Sequence, residues 1–126
     1  MLLFKFEHFI MTLKILYGVQ GTGNGHIART RALLPALKNK DVEIDFVFSG
    51  RSEEDFFDMQ EYGNYRVFRG LTLIYKRGRL EIIKTVLTNN LFTFIGDVIS
   101  LNTANYDLVI SDFEPITAWS TRLKGK

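Results

Sequence analysis

The stretch that most constrains this chain runs from Lys14 to Leu34, with the sequence KILYGVQGTGNGHIARTRALL. A short apolar run leads into a loop with three glycines in five residues, and a helical pattern of apolar residues follows. This order predicts a strand, a loop and a helix, which bring backbone N–H groups and the positive end of a helix dipole to one point. The stretch therefore predicts a site that suits a phosphate group or another anion.

The composition is that of an ordinary globular protein and argues against several classes of function. The chain has 126 residues, of which 46% are apolar and 24% are charged, and its formal net charge is +2. So small a charge does not indicate nucleic-acid binding, and no nucleic-acid partner is expected. The absence of cysteine excludes a disulfide framework and a thiolate metal site, and it fits a cytoplasmic location. No apolar run approaches the length of a membrane span.

Strands and helices alternate along the chain. Apolar runs and alternating patterns predict strands at residues 13–19, 42–48, 65–68 and 108–110, and helical spacing predicts helices at residues 27–38, 80–99 and 116–123. Alternation of this kind indicates a parallel sheet, and right-handed crossovers favour the strand order 3-2-1-4. The predicted fold class is therefore α/β, a Rossmann-like open parallel sheet with helices on both faces.

Three local features refine the predicted helices. Pro35 lies inside the first helix, where it predicts a kink or an early end. Ser52 precedes three acidic residues and is predicted to cap a short helix through them. Residues 80–99 keep helical spacing for about twenty residues, which is typical of one helix with a core-facing stripe.

Both ends of the chain bear on its domain organisation. Residues 1–10, MLLFKFEHFI, are interpreted as an extension that precedes the fold, and residues 11–126 as one Rossmann-like domain. A fourth strand and a last helix are predicted near the end, with no strand after them. That arrangement leaves an apolar sheet edge open, which natural sheets avoid. The domain is therefore expected to be the incomplete N-terminal part of something longer.

The glycine loop departs from two well-known phosphate-binding patterns. A Walker-type loop needs a lysine and a serine or threonine after its last glycine, whereas Gly23 is followed by Asn24, Gly25 and His26. A dinucleotide fingerprint needs a third glycine or alanine where His26 stands, and an acid at the end of the second strand. The residues at that end are Phe48-Ser49-Gly50. Both patterns are disfavoured, although a dinucleotide-binding module stays open as an alternative.

His26 and Asp112 are the candidate chemical groups. A helix N-terminus disfavours a protonated imidazole, so His26 is placed to act as a general base, although position alone leaves a loop-capping role equally open. In a 3-2-1-4 sheet the first and fourth strands are neighbours, and His26 and Asp112 follow those strands. Asp112 could then orient the imidazole and stabilise its charged form. The alternative for Asp112 is to cap the helix that begins near Pro115, a role that Glu114 could fill equally well.

Two segments together resemble a known family. KILYGVQGTGNGHIARTRAL and YDLVISDFEPITAW resemble the N-terminal domain of GT-B glycosyltransferases, and in particular a bacterial and archaeal group of predicted glycosyltransferases. More distantly, the chain is similar to the lipid-linked N-acetylglucosaminyltransferase of peptidoglycan synthesis. The resemblance covers about residues 12–125. It implies two Rossmann-like domains, with the acceptor on the N-terminal one and most of a nucleotide-sugar donor, such as a UDP-sugar, on the other. It implies no catalytic metal and no further cofactor.

The resemblance also implies roles for individual residues in a hexosyltransferase-like reaction. His26 is expected to take the proton from the acceptor hydroxyl, Asp112 to be its partner, and Glu114 to hold an acceptor hydroxyl. The loop expected to approach the donor phosphate or the acceptor consists of Gly21, Thr22, Gly23, Asn24 and Gly25. Without a donor-binding domain the chain is expected to be inactive by itself and to work with that domain or with a separate donor-binding chain.

Two other functions stay open, as does contact with a membrane. The chain could be the nucleotide-binding module of an oxidoreductase, or a non-catalytic partner subunit for a donor-binding chain. Lys76, Arg77 and Arg79 lie among the apolar residues of 71–80 and could meet the inner face of a membrane, as enzymes with lipid-linked acceptors do. The simpler interpretation is a surface loop that leads into a helix with a core-facing stripe.

Overall fold

The computed structural model describes residues 11–38 and 41–125, so the interpretation of residues 1–10 as an extension lies outside the described part. The strands are β1 (Leu13–Gln20), β2 (Val42–Ser49), β3 (Tyr65–Phe68), β4 (Tyr75–Lys76), β5 (Arg79–Leu80) and β6 (Leu108–Asp112). The helices are α1 (Asn24–Lys38), α2 (Ile82–Thr88), α3 (Leu91–Ser100) and α4 (Pro115–Leu123). Two short 3-10 turns, Glu53–Asp55 and Gln60–Tyr62, lie between β2 and β3.

Four parallel strands form the main sheet in the order β3-β2-β1-β6. Because β6 is the fourth strand of this sheet along the chain, the predicted order 3-2-1-4 is confirmed. The strands β4 and β5 form a separate antiparallel hairpin, which contains the basic residues Lys76, Arg77 and Arg79. The fold is therefore the expected α/β, Rossmann-like one.

Apolar side chains cover both faces of the sheet. On one face the core consists of Tyr17, Val19, Ile27, Leu34, Phe46, Phe48, Met59 and Tyr62, which brings α1 against β1 and β2. On the other face the core consists of Leu16, Val47, Val98, Leu101 and Ile116, which brings α3 and α4 against the same strands. Neighbouring residues of a strand point to opposite faces, so Leu16 and Tyr17 belong to different cores.

Three details at helix ends differ from the prediction: the start of α1, the early end at Pro35 and the cap at Ser52. The helix α1 begins at Asn24, three residues earlier than the apolar pattern suggested, and it runs through Pro35 to Lys38 without an early end. Pro35 removes only the bond to the Arg31 carbonyl, one turn before the helix ends. Ser52 precedes a 3-10 turn, but its side chain makes no capping hydrogen bond.

The predicted single helix over residues 80–99 is also wrong. The chain forms α2 and α3, whose axes are bent by 84° at the break between them. The Asn89 side chain bonds to the backbone of Thr72 and Thr85 instead of continuing the helix, and the Asn90 side chain accepts a hydrogen bond from the Thr93 N–H as the N-cap of α3. Two adjacent asparagines thus end one helix and begin the next.

The break leaves much of the expected core stripe in contact with solvent. Val98 is buried, but a set of apolar side chains on α2 and α3 is exposed, and we call it the α2–α3 apolar face: Ile82, Ile83, Val86, Leu87, Leu91, Phe92, Ile95 and Ile99. None of the helices that the structure describes is by itself long and apolar enough to cross a bilayer. Among the described helices, α2 and α3 taken together, as a bent pair, meet that criterion of length and composition.

Candidate active site

The glycine loop lies at the carboxyl end of β1, between Gln20 and the start of α1. The buried Gln20 side chain accepts a hydrogen bond from the Gly21 N–H at 3.0 Å and donates one to the Leu71 carbonyl at 3.1 Å. A Cβ atom at Gly21 would lie 2.6 Å from the Phe56 ring and 2.8 Å from the Ser49 carbonyl. Close packing therefore requires glycine at position 21.

Gly23 and Gly25 differ from Gly21 in this respect. A Cβ atom at either position would meet no atom within 4 Å, and neither residue has a left-handed backbone. Gly25 lies inside the first turn of α1, where glycine costs about 0.5–1 kcal/mol relative to alanine. The described fold gives no reason for these two glycines, whereas a ligand that approaches the helix N-terminus closely would give one.

We expect the two kinds of glycine to respond oppositely to alanine. Gly25→Ala should raise the free energy of unfolding by about 0.5–1 kcal/mol because it stiffens the unfolded chain and fits the helix. Gly21→Ala should lower it by about 2 kcal/mol or more because the new methyl group overlaps the backbone at Ser49. Urea unfolding of both variants measures the difference. Equal losses of stability in the two variants would show that a methyl group at position 25 meets other atoms in the folded protein.

His26 and Asp112 are brought together as the topology predicted. Asp112 is the last residue of β6 and pairs in register with Val19 of β1, and His26 lies in the first turn of α1. The His26 Nδ1 atom is 3.0 Å from the Asp112 Oδ1 atom. The first turn of α1 is held by the Thr30 hydroxyl, which donates to the His26 carbonyl, and by the buried Tyr62 hydroxyl, which donates to the Ile27 carbonyl.

Arg29 joins this pair as a third group. Its Nη2 atom donates to Asp112 Oδ1 and lies 2.8 Å from His26 Nδ1. A carboxylate is the stronger acceptor, so we assign the imidazole proton to Nδ1, where it is donated to Asp112. The Nε2 atom of His26 then carries a lone pair, and no described residue bonds to it.

The charge on Asp112 is set by opposing influences. Burial by itself would raise the pKa of the Asp112 carboxyl, but the hydrogen bonds and charges of Arg29 and His26 outweigh it, and the pKa is lowered. Asp112 Oδ2 is buried and has no hydrogen-bond partner among the described residues. The carboxylate is therefore ionised, and the unmatched oxygen leaves it with negative charge that can stabilise an imidazolium.

Phe113 follows Asp112 and adopts an unusual backbone. Its φ angle is +55°, in the left-handed region, and its side chain is 73% exposed. The centroid of its ring lies 5.4 Å from that of His26, with an angle of 52° between the rings. An exposed aromatic side chain thus stands beside the imidazole.

Glu114 lies in the opposite direction, inside the protein. It is fully buried and caps α4 by accepting hydrogen bonds from the N–H groups of Ile116 and Thr117, at 2.9 and 2.6 Å. The hydroxyl groups of Ser49 and Thr117 also donate to it, at 2.5 and 2.7 Å. Glu114 rather than Asp112 is therefore the helix cap. Its oxygens are occupied and closed to solvent, so an acceptor hydroxyl has no access to the position expected to hold it.

Sequence reasoning missed two residues of this site. Arg29 lies three residues after His26, so the two share one helix face, and this spacing could have indicated the contact. Phe113 carries no comparable signal, because an aromatic residue after a strand does not predict a left-handed backbone. No described residues group three or more His, Asp or Glu side chains in the way a metal site requires.

A separate groove of about 540 Å³ lies at the other end of the sheet. Asp45, Tyr65 and Tyr106 are among the residues that line it, close to where β3 and β6 begin. The Tyr106 hydroxyl donates to Asp45 at 2.6 Å, and burial together with this bond raises the pKa of Tyr106 to about 12. Ligands of open α/β sheets bind at the carboxyl ends of the strands, so we take the end of the sheet at His26, and not this groove, as the candidate site.

The comparisons with known proteins bear on the family to which the chain belongs. A family model described as Glycosyl transferase family 1 matches residues 13–125, which includes both β1 with its glycine loop and β6 with Asp112. Neither the comparison with curated proteins nor the comparison with solved structures finds a match. The family match covers most of the chain and fits the observed order of the parallel sheet. The chain therefore belongs to glycosyl transferase family 1, as a glycosyltransferase domain of the GT-B type.

Proposed function

We propose that this domain binds the acceptor of the transfer reaction and that His26 is its general base. The observation that carries the proposal is the contact of His26 Nδ1 with Asp112, which leaves Nε2 free at the carboxyl end of the sheet. In the proposed step the acceptor oxygen attacks the anomeric carbon of a nucleotide sugar. Its proton passes to Nε2, the bond from the sugar to the phosphate breaks, and the nucleotide leaves with the electron pair.

Asp112 and Arg29 have distinct parts in this step. Asp112 holds the ring in the tautomer that accepts at Nε2, and its negative charge stabilises the imidazolium that forms. Arg29 donates to the same Asp112 oxygen and so fixes the carboxylate against rotation. The proposed base therefore has its orientation set before an acceptor arrives, which lowers the cost of reaching the reactive geometry.

The donor is proposed to be a nucleotide sugar such as a UDP-sugar. Its phosphates would approach the start of α1, where the exposed Gly23 and Gly25 leave the backbone open and the helix dipole favours negative charge. The remaining donor contacts would come from a second domain or from a separate donor-binding chain. No metal is required in this proposal, because the leaving phosphate is stabilised by the helix end and by the donor-binding part.

A transfer assay separates this proposal from its rivals. In a complete enzyme, which joins this domain to its donor-binding part, release of nucleoside diphosphate from a UDP-sugar should depend on an added acceptor. A non-catalytic partner subunit would show no effect when His26 is replaced. The dinucleotide-binding module of an oxidoreductase would instead bind NAD(H) tightly, and such binding without acceptor-dependent release would overturn the proposal.

We also propose that the α2–α3 apolar face rests on an anionic membrane surface. The side chains of Ile83, Leu87 and Phe92 are 76%, 78% and 89% exposed. Four exposed basic residues occur in the same part of the chain, on the hairpin and on α2, namely Lys76, Arg77, Arg79 and Lys84, of which Lys84 is paired with Glu81 at 3.7 Å. An apolar face flanked by basic residues suits the interface between anionic headgroups and acyl chains.

The position of α2 relative to the glycine loop supports this proposal. The N–H of Leu73 donates to the Thr22 hydroxyl at 3.3 Å, and the N–H of Ile74 donates to the Thr85 hydroxyl of α2 at 3.0 Å. The segment before the hairpin thus ties α2, which carries part of the α2–α3 apolar face, to the glycine loop at the carboxyl end of β1. A lipid-linked acceptor held at α2 would have its head group near the proposed base.

The triple substitution Ile83→Ser, Leu87→Ser and Phe92→Ser is expected to weaken binding to phosphatidylglycerol vesicles by at least about tenfold. The reason is that each side chain loses most of the free energy of burial in the acyl region. Vesicle co-sedimentation at low and high salt measures the change. Leu33→Ser, which replaces a partly exposed leucine on α1, is the matched control and should bind as the wild type does. Equal binding by the triple variant, or no binding by the wild type, would reject the membrane contact.

A further inference from the structure

We infer that Phe113 is the platform on which a pyranose ring of the acceptor packs, with one of its hydroxyl groups directed to His26. The inference rests on the proposed function and adds to it the residue that selects the acceptor. Three observations carry it: the strained backbone of Phe113, the exposure of its ring, and its contact with the imidazole.

The backbone at Phe113 is strained without benefit to the described core. A φ of +55° is disfavoured for an aromatic residue, and glycine or asparagine would adopt it more easily. Strain of this kind persists only where the surrounding structure enforces it, and it concentrates at functional sites. A fold that needed only a turn here would not need a phenylalanine.

Glu114 helps to hold the backbone of Phe113 in this left-handed conformation. Its buried carboxylate accepts from Ser49 on β2 and from the first turn of α4, so it fixes the chain immediately after Phe113. Asp112 is fixed immediately before it by β6 and by the contact with His26. Because both neighbours point inward or towards the base, the Phe113 side chain is held outward, where it is 73% exposed.

The exposed ring has the chemistry of a sugar platform. A phenyl ring offers a flat apolar surface and no polar atom, which suits the C–H face of a pyranose and leaves the hydroxyl groups at the edge free to bond elsewhere. The nearest described ring is that of His26, at 5.4 Å between centroids. A pyranose packed against Phe113 would therefore present an edge hydroxyl on the side of the imidazole. Because Phe113 contributes no hydrogen bond, it selects ring-shaped acceptors over acyclic polyols and discriminates little among hexoses.

The test uses the NMR signals of the His26 imidazole in this chain, titrated with methyl β-glucopyranoside, methyl β-galactopyranoside and the acyclic polyol sorbitol. We expect the two pyranosides to shift the signals saturably at millimolar concentration and sorbitol to leave them unchanged. Phe113→Gly should weaken the pyranoside effect by roughly tenfold while relieving the strained backbone, so loss of folding does not explain the change. Phe113→Trp keeps an aromatic surface and should retain the effect.

Several results would overturn the inference. It fails if the wild-type chain responds to neither pyranoside, if sorbitol acts as they do, or if Phe113→Gly responds like the wild type. It also fails if uridine, and neither pyranoside, shifts the signals in a way that depends on Phe113, because the ring would then serve a nucleobase.

Kinetics in a complete enzyme separate this inference from the proposed function. Phe113→Gly should raise the acceptor KM by roughly tenfold and leave the donor KM unchanged. Transfer with an unaltered acceptor KM in that variant would reject the platform and leave His26 as the base. Pyranoside binding that depends on Phe113, without any transfer by the wild type, would reject the proposed reaction and leave the platform.

Discussion

Glu114→Ala is expected to lower the free energy of unfolding by about 3–5 kcal/mol, the largest stability change that we predict for a single substitution. The substitution removes the N-cap of α4 and leaves the Ser49 hydroxyl and two backbone N–H groups buried without acceptors. Each buried donor without a partner costs about 1–3 kcal/mol. Urea unfolding followed by the fluorescence of Trp119, the one tryptophan of the chain, measures the loss.

Two further variants make this prediction specific. Glu114→Gln keeps the size of the side chain and one acceptor oxygen, so it should lose less stability than the alanine variant. Glu61→Ala removes a largely exposed glutamate whose only described ion pair, with Arg31, is 4.0 Å long, and it should change stability by less than about 0.5 kcal/mol. A fully stable Glu114→Ala protein with a raised acceptor KM would instead support the acceptor-binding role that the resemblance implied.

His26→Ala is expected to lower the rate of sugar transfer in a complete enzyme by about 10²- to 10⁴-fold. The acceptor hydroxyl loses the group that is proposed to take its proton. The other described side chain that contacts Asp112 is Arg29, which is permanently charged and cannot accept a proton in place of His26. Donor affinity should stay nearly unchanged, because the donor phosphates are proposed to meet backbone N–H groups. Steady-state kinetics together with donor binding by calorimetry measure both quantities.

Two further variants, one on α1 and one on β6, accompany His26→Ala. Lys38→Ala changes the far end of α1 and should leave the rate at its wild-type value. Asp112→Asn keeps the shape of the partner but can donate to Nδ1, which favours the tautomer with its proton on Nε2, so its rate should also fall. Wild-type turnover by His26→Ala would reject His26 as the base, and a large loss of donor affinity would show that the imidazole binds the donor instead.

The architecture could be predicted from the sequence because the architecture depends on patterns that extend over many residues. Apolar runs located every strand of the main sheet, and the rules of right-handed connection then gave its order. The same reasoning failed at Asn89 and Asn90, where two side chains bond to the backbone and override a helical pattern that continues on both sides. Local hydrogen bonds of this kind are not visible in the spacing of apolar residues.

The site was predicted to the extent that topology alone determines it. His26 and Asp112 follow neighbouring strands, so their contact could be expected from the order of the sheet. The roles of Phe113 and Glu114 could not, because a left-handed backbone directs one outward and a buried cap directs the other inward. The opposite directions of these two adjacent side chains depend on the φ angle of Phe113. No pattern in the sequence indicates that angle.

Chemical rescue tests the proposed role of His26 most directly. In a complete enzyme carrying His26→Ala, added imidazole should restore part of the transfer rate, in proportion to the concentration of its neutral form. Sodium chloride at the same ionic strength should not restore it. We expect this rescue because a small base can enter the space that the side chain leaves and accept the proton of the acceptor hydroxyl. Transfer by His26→Ala at the wild-type rate without imidazole would contradict it.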